Sequence, residues 1–209
     1  MKCYARWIKD KENFYRDQTI LQFGESWELI ANIILLNPGS AVPKSDDSVD
    51  DFLVSKNLPY FVKSDHNQNY YEFTIDPLMR NIINCFKNKQ DAGVIKIYNL
   101  FNLKNQDSKK ALLKYQQNID NPYIHTEKKD ILYDNKKVII ATGESNLADT
   151  LKLELKKYIQ LADNNNLYAL QKIAKQTYTF KDSTVNKDGL IGSFHPSYTF
   201  GYGNATLCN

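Results

Sequence analysis

The residues best suited to chemistry stand where apolar runs end. Ile33-Ile34-Leu35-Leu36 leads into Asn37-Pro38-Gly39-Ser40-Ala41, which places an amide and several small residues at the end of a strand candidate. An amide donates and accepts hydrogen bonds but is no strong base, so Asn37 suits holding a water molecule. The same residues also make an ordinary strand-ending turn, with Gly39 relieving the backbone. Near the other end of the chain, His195 follows Phe194 and precedes Pro196, Ser197 and Tyr198. An imidazole there can donate a hydrogen bond to an oxygen that gains negative charge, or can be structural. His66 and His125 fall in loop candidates without metal-ligand spacing and read as solvated.

Asn99 and Asn102 end a second apolar run, Gly93-Val94-Ile95-Lys96-Ile97-Tyr98, with Phe101 between them. An asparagine offers the paired donor and acceptor that read the edge of a nucleobase, although Asn99 could equally cap a turn. Glu144 in Gly143-Glu144-Ser145 is a possible acid or base with no visible partner, and the string lacks the spacing of a phosphate loop. The closing segment alternates Tyr198, Phe200 and Tyr202 with Gly201 and Gly203. Such aromatics could stack on bases, or simply pack locally.

These groups need a scaffold, and the hydrophobic pattern supplies one. Strands are predicted at Leu29–Leu36, Gly93–Tyr98, Lys137–Thr142 and Asp188–Ser193, the middle two β-branched and suited to a doubly covered sheet. Helices are predicted after Asp76-Pro77, after Ser108, after Ser145 (with Leu147, Leu151, Leu155 and Tyr158 on one face) and over Leu167–Lys175. The alternation predicts a three-layer α/β/α sandwich around a short, mostly parallel sheet, in which ligands collect beyond the carboxyl ends of the strands. One domain is expected over residues 1–209, with an amino-terminal extension at about 1–27 adding edge structure and a long insertion at about 42–71. Residues 119–136 read as a solvated excursion.

Composition narrows the classes. Hydrophobic content of 42% and charged content of 24% are those of a globular protein without a membrane span, and the segment MKCYARWIKDKENFY has no apolar signal core, so a cytoplasmic location is expected. Cys3, Cys85 and Cys208 form no disulfide or zinc pattern and read as reduced structural thiols. A net charge of +3 permits a polyanionic partner through a local patch without requiring one. Nearly all basic residues are lysine; the arginines are Arg6, Arg16 and Arg80.

Together, Leu35-Leu36-Asn37-Pro38-Gly39 and His195-Pro196-Ser197 resemble the two catalytic motifs of the uracil-DNA glycosylase superfamily, nearest its mismatch-specific and single-strand-selective branches. The resemblance implies that Asn37 orients the attacking water and that His195 stabilises the departing base. It implies further that Asn99 reads the pyrimidine edge, and that Pro38, Gly39, Ser40, Phe101, Ser197 and Tyr198 shape the substrate site. Leu35 stands where the family has its first glycine, and Tyr198 where a proline often follows His-Pro-Ser. No cofactor is implied, since the iron–sulfur branches use four cysteines. The implied partner is DNA and the implied reaction monofunctional, by a monomer. Uracil-selective members carry a tyrosine after the first motif's proline; the small Gly39, Ser40 and Ala41 therefore suggest a pocket admitting a C5 substituent, such as glucosylated hydroxymethylcytosine in viral DNA, with the insertion as an extra wall and antiviral defence as the role. Excision of uracil or small damaged bases, a catalytically inert nucleic-acid-binding module and a hydrolase of free nucleosides are the other readings.

Overall fold

Alternating apolar and polar residues build strands, and i, i+3, i+4 spacing builds helices. The structure, a computed structural model, describes the chain except residues 66, 67, 88, 106, 144–146, 176, 200–205 and 209; the side chains of 108, 109, 198, 199 and 206–208 also lie outside the description. In chain order the elements are β1 (Lys2–Asp10), β2 (Asn13–Phe23), β3 (Leu29–Leu35), α1 (Asp50–Val54), β4 (Gln68–Glu72), α2 (Pro77–Lys87), β5 (Gly93–Asn99), α3 (Ser108–Gln117), β6 (Lys137–Ile140), α4 (Asp149–Gln160), β7 (Leu167–Ala174), β8 (Thr177–Asp182) and β9 (Thr206–Cys208). The protein is mixed α/β. Among the described residues the strands form one sheet in the order β4-β1-β2-β5-β3-β6-β7-β8-β9.

The sheet is not mostly parallel. β5, β3, β6 and β7 run parallel in the middle, but β4, β1 and β2 pair antiparallel, β2 joins β5 antiparallel and β7 joins β8 antiparallel. The amino-terminal segment, expected at an edge, is thus interior. Its charged residues disguise it: Arg6 donates from Nε and Nη2 to the two Asp17 carboxylate oxygens at 2.9 and 2.7 Å, so each charge is buried with its partner. Leu167–Lys175, expected as a helix, is β7, because pairing with β6 and β8 outweighs the helix propensity of Leu, Ala, Gln and Lys. Asp188–Ser193, expected as a strand, is a turn and extended loop in which Asn186 Oδ1 accepts from the backbone of Asp188 and Leu190. The 42–71 segment contains α1 and most of β4, and residues 119–136 bury Ile124, Ile131 and Tyr133 rather than standing in solvent.

Alternate strand residues feed different clusters. Ala31, Ile33, Leu35, Ile95 and Ile97 pack with Met79, Ile82, Ile83 and Phe86 of α2. Ile34, Tyr98, Val138 and Ile140 pack with Ala111 and Tyr115 of α3 and Leu151, Leu155 and Tyr158 of α4. α2 begins as its sequence predicts: Asp76 Oδ1 accepts from Met79 N at 2.8 Å and Pro77 takes the first helical position. α4 begins at Asp149, and its expected cap Ser145 lies outside the described residues, as does the Ser108 side chain. Gly24, at φ 62°, lets the β2–β3 connection pass the β5 approach, where a Cβ would lie 2.4 Å from that of Ala92.

Candidate active site at the ends of β3 and β5

β3 and β5 are parallel neighbours with Leu35 opposite Asn99, so their carboxyl ends open at one level of the sheet. There lies a cavity of about 300 Å³, at the small end of ligand pockets. Six of the expected site residues line it: Asn37, Gly39, Ser40, Asn99, His195 and Ser197. Arg16, Asp76 and Asn105 line it too, and the sequence reading gave none of them a place in a site.

Asn37 keeps one oxygen without a hydrogen-bond partner among the described residues. Its Nδ2 donates to the carbonyl oxygens of Pro38 at 2.9 Å and Asn105 at 3.3 Å, which occupies both amide hydrogens and leaves Oδ1 as the acceptor. Pro38, buried, contributes that carbonyl and is not part of the cavity wall.

His195 has a defined tautomer. Ser197 N donates to His195 Nδ1 at 3.2 Å and Ser197 Oγ lies 2.8 Å from the same nitrogen. A ring nitrogen that accepts from a backbone N–H carries no proton, so the proton of the neutral ring sits on Nε2. Burial lowers the His195 pKa from 6.5 to about 4, which keeps the ring neutral near pH 7. The arrangement is a neutral Nε2–H donor held by the Pro196–Thr199 3-10 turn.

Asn99 is 2% exposed, and neither its Nδ2 nor its Oδ1 has a hydrogen-bond partner among the described residues. A buried amide with both ends unmade is destabilising by about 1–3 kcal/mol per lost group, so its place in the wall of a cavity points to a ligand that completes it. Asn102 differs: its amide donates to Tyr123 O and Thr126 Oγ1, which makes it a structural brace. Phe101, expected in the site, packs against Tyr115 of α3 with ring centroids 4.9 Å apart in the cluster beneath α3 and α4. It is fully buried there, with its N donating to Leu36 O at 3.2 Å and its ring on the α3 and α4 side of the sheet.

Arg16 is 1% exposed and its Nε and Nη1 are likewise unpartnered among the described residues. Its guanidinium lies against the rings of Trp7 and Phe73, 5.6 and 5.1 Å from their centroids. Burial lowers its pKa to about 10, with the nearby Asp76 carboxylate opposing the shift, so it stays charged near neutral pH. A β-bulge aims it. Between the Tyr4–Ile20 and Arg6–Asp17 pairs the register slips, and Gln18 takes φ 49°. Leu21 and Phe23 therefore share the α2-side cluster, Tyr15 packs on the opposite side, and Arg16 turns to the α2 side.

Asp76 brings a carboxylate to the same wall. With Oδ1 capping α2, Oδ2 lies where a Cβ on residue 39 would meet it at 3.3 Å. The smallness of Gly39 thus serves the approach of Asp76, and the space beside it is already partly filled. The 42–71 segment does not wall this cavity; Val42, Pro43, Asp46 and Asn69 instead line a neighbouring one of about 530 Å³ with Trp7, Phe14 and Lys104.

His125 is not a loop side chain in solvent. Nδ1 donates to Leu100 O at 2.7 Å and the ring packs edge-on to Tyr115. Cys3 and Cys85 are buried, and Cys85 Sγ donates to Asn81 O at 3.0 Å. His66, Glu144, Phe200, Gly201, Tyr202 and Gly203, and the side chains of Tyr198 and Cys208, lie outside the described residues. Among the described residues no cluster of His, Cys, Asp and Glu could hold a metal ion, and no helix is long and apolar enough to cross a membrane. No family model, no curated protein and no solved structure matches the chain.

Proposed function

We propose that this chain is a monofunctional DNA glycosylase of the uracil-DNA glycosylase kind, hydrolysing the N-glycosidic bond of a pyrimidine nucleotide extruded from DNA, with its helices and sheet as the α/β/α layers of that fold. One observation carries the reading: Asn37, Asn99 and His195, which the motif resemblance assigns to water, base edge and leaving group, line one cavity. Each presents the group its role requires.

Rupture of the C1′–N bond sends its electron pair into the base and leaves a sugar with oxocarbenium character. The Asn37 oxygen holds the water that adds to C1′, and the water's proton ends on the departed base, so a base and an abasic site are the products. His195 Nε2–H donates to the base oxygen where negative charge accumulates. Asn99 completes its amide on the base edge. Extrusion supplies reach, since the bond is inaccessible in a stacked duplex. The described cavity wall includes no lysine to form an imine with the sugar, which supports simple hydrolysis.

For the substrate we favour a C5-substituted pyrimidine, glucosylated hydroxymethylcytosine in viral DNA being the large case, with antiviral defence as the role. Trp7 joins the two cavities' walls: it packs on Arg16 of the smaller and lines the larger, where an extended substituent would find Phe14, Asn69 and Lys104. The Asp76 oxygen beside Gly39 favours the rival, excision of uracil or a small damaged base, because it narrows that side of the cavity.

Labelled oligonucleotides carrying uracil, hydroxymethyluracil or glucosylated hydroxymethylcytosine, scored for alkali-labile sites, separate these substrates. Cleavage confined to uracil rejects the large-base reading. Release from free nucleosides but not DNA rejects a DNA substrate, and DNA binding without release, unchanged in Asn37→Ala, leaves a binding module.

A further inference from the structure

The two buried arginines of the sheet are treated differently. Arg6 has Asp17 on a two-point contact and Asp130 at 3.3 Å. Arg16, just as buried, has no carboxylate within 4.0 Å among the described residues and keeps two nitrogens unmade in the cavity wall. The Asp76 carboxylate favours the charge from a distance, but the two nitrogens have no direct partner among the described residues, so the group that completes Arg16 belongs to whatever fills the cavity. That group is an anion, or a carbonyl that becomes one.

Sheet order fixes where the charge lies. β2, β5 and β3 are consecutive, so β5 with Asn99 lies between Arg16 of β2, whose N donates to Asn102 O, and the end of β3 that leads into Asn37. Asn99 is central, Arg16 lies to the far side of it, and the water-holding amide lies on the other. The opposite charge is on the Asn37 side, where Asp76 Oδ2 neighbours Gly39.

We propose that Asp76 and Arg16 are a charge pair set along the scissile bond, Asp76 facing the sugar as it becomes cationic and Arg16 facing the base as it becomes anionic. This rests on the glycosylase reading and assigns two catalytic residues outside the two motifs. Both are fixed before substrate arrives, Asp76 by its cap on α2 and Arg16 by Trp7 and Phe73, so neither must reorganise as charge develops. In the step itself the C1′–N pair leaves with the base toward Arg16, and water adds to the carbon that Asp76 faces; neither residue forms a covalent bond.

Asp76→Asn isolates the charge, because asparagine caps a helix as well as aspartate does. Single-turnover base release should fall by about 10²-fold in Asp76→Asn and in Arg16→Met, the size typical of losing one preorganised electrostatic group, with DNA affinity little changed. Arg16→Lys, which keeps the charge, should recover part of the loss. A structural role predicts equal losses for all bases; the charge role predicts a smaller loss for 5-fluorouracil, the better leaving group, than for uracil. Binding supplies a readout independent of turnover: the wild type should prefer an oligonucleotide carrying a cationic pyrrolidine over one carrying a neutral tetrahydrofuran by at least about tenfold, and Asp76→Asn should lose the preference. Rates within threefold of wild type in both variants, or no preference for the cation, overturn the pair while leaving the glycosylase reading intact. No release of any base by the wild type, with the preference retained, overturns the glycosylase reading and not the pair.

Discussion

His195 is neutral because burial makes its charged form expensive, and the consequence for stability can be worked out. Its pKa falls from 6.5 in an unfolded chain to about 4 in the fold. As pH drops through 6.5 the unfolded state takes up a proton that the folded state refuses, so stability is lost between pH 6.5 and 4 and levels off below. At about pH 5 the unfolded chain is almost fully protonated at this residue and the folded protein is about one-tenth protonated, which amounts to about 2 kcal/mol of lost stability. Urea unfolding of wild type and His195→Gln at about pH 7 and pH 5 measures it. The acid-induced loss should be smaller in the variant by about that 2 kcal/mol, and the two proteins should differ less at pH 7. Nitrogen chemical shifts of the ring should show Nε2 protonated from pH 8 to about 5. A pKa near 6.5, a proton on Nδ1, or an unchanged acid response in the variant would refute the assignment of a neutral Nε2–H donor.

Asn99→Leu should stabilise the protein by about 1–3 kcal/mol in urea unfolding, since it removes a buried amide with no partners, while abolishing base release. Lys96 is 1% exposed, and burial lowers its pKa from 10.5 to about 7. The unfolded chain is protonated there first, so stability should fall as pH drops from about 10.5 to 7 and stay level below; Lys96→Met should flatten that slope and raise the melting temperature at neutral pH. Gly39→Ala forces the Asp76 carboxylate to give by a few tenths of an ångström, and should reduce single-turnover release by up to about tenfold with the melting temperature within a few degrees of wild type.

What the sequence shows depends on whether a residue's neighbours obey the period of their element. Asn37 and Asn99 are visible because β3 and β5 are apolar runs interrupted only by Asn32 and Lys96, and an amide at the end of such a run has nowhere to be but the sheet's carboxyl edge. Asp76 was legible as a cap, but only one of its oxygens makes that bond; the other reaches the cavity because residue 39, far away in sequence, lacks a side chain. Arg16 was hidden by the bulge at Gln18. Strict alternation would set it on the face opposite Leu21 and Phe23, and one extra residue reverses that. A weaker signal was present: an arginine in a chain that otherwise uses lysine almost throughout. The interior place of β1 and β2 was hidden because Arg6 and Asp17 each look exposed until they are seen to pair. β7 reads as a helix because its local propensity is helical, and only its neighbours in the sheet make it a strand.

Mass spectrometry of what the protein releases tests whether it breaks the bond between base and sugar. Single- and double-stranded DNA containing uracil, 5-fluorouracil, hydroxymethyluracil or glucosylated hydroxymethylcytosine is incubated with wild type, Asn37→Ala and His195→Ala, and free bases and abasic sites are quantified together. The wild type should release an intact pyrimidine base with an equal number of abasic sites, while Asn37→Ala and His195→Ala bind the DNA and release at least about 10²-fold less. No free base from any of these DNAs, or release that survives both substitutions, would contradict the account.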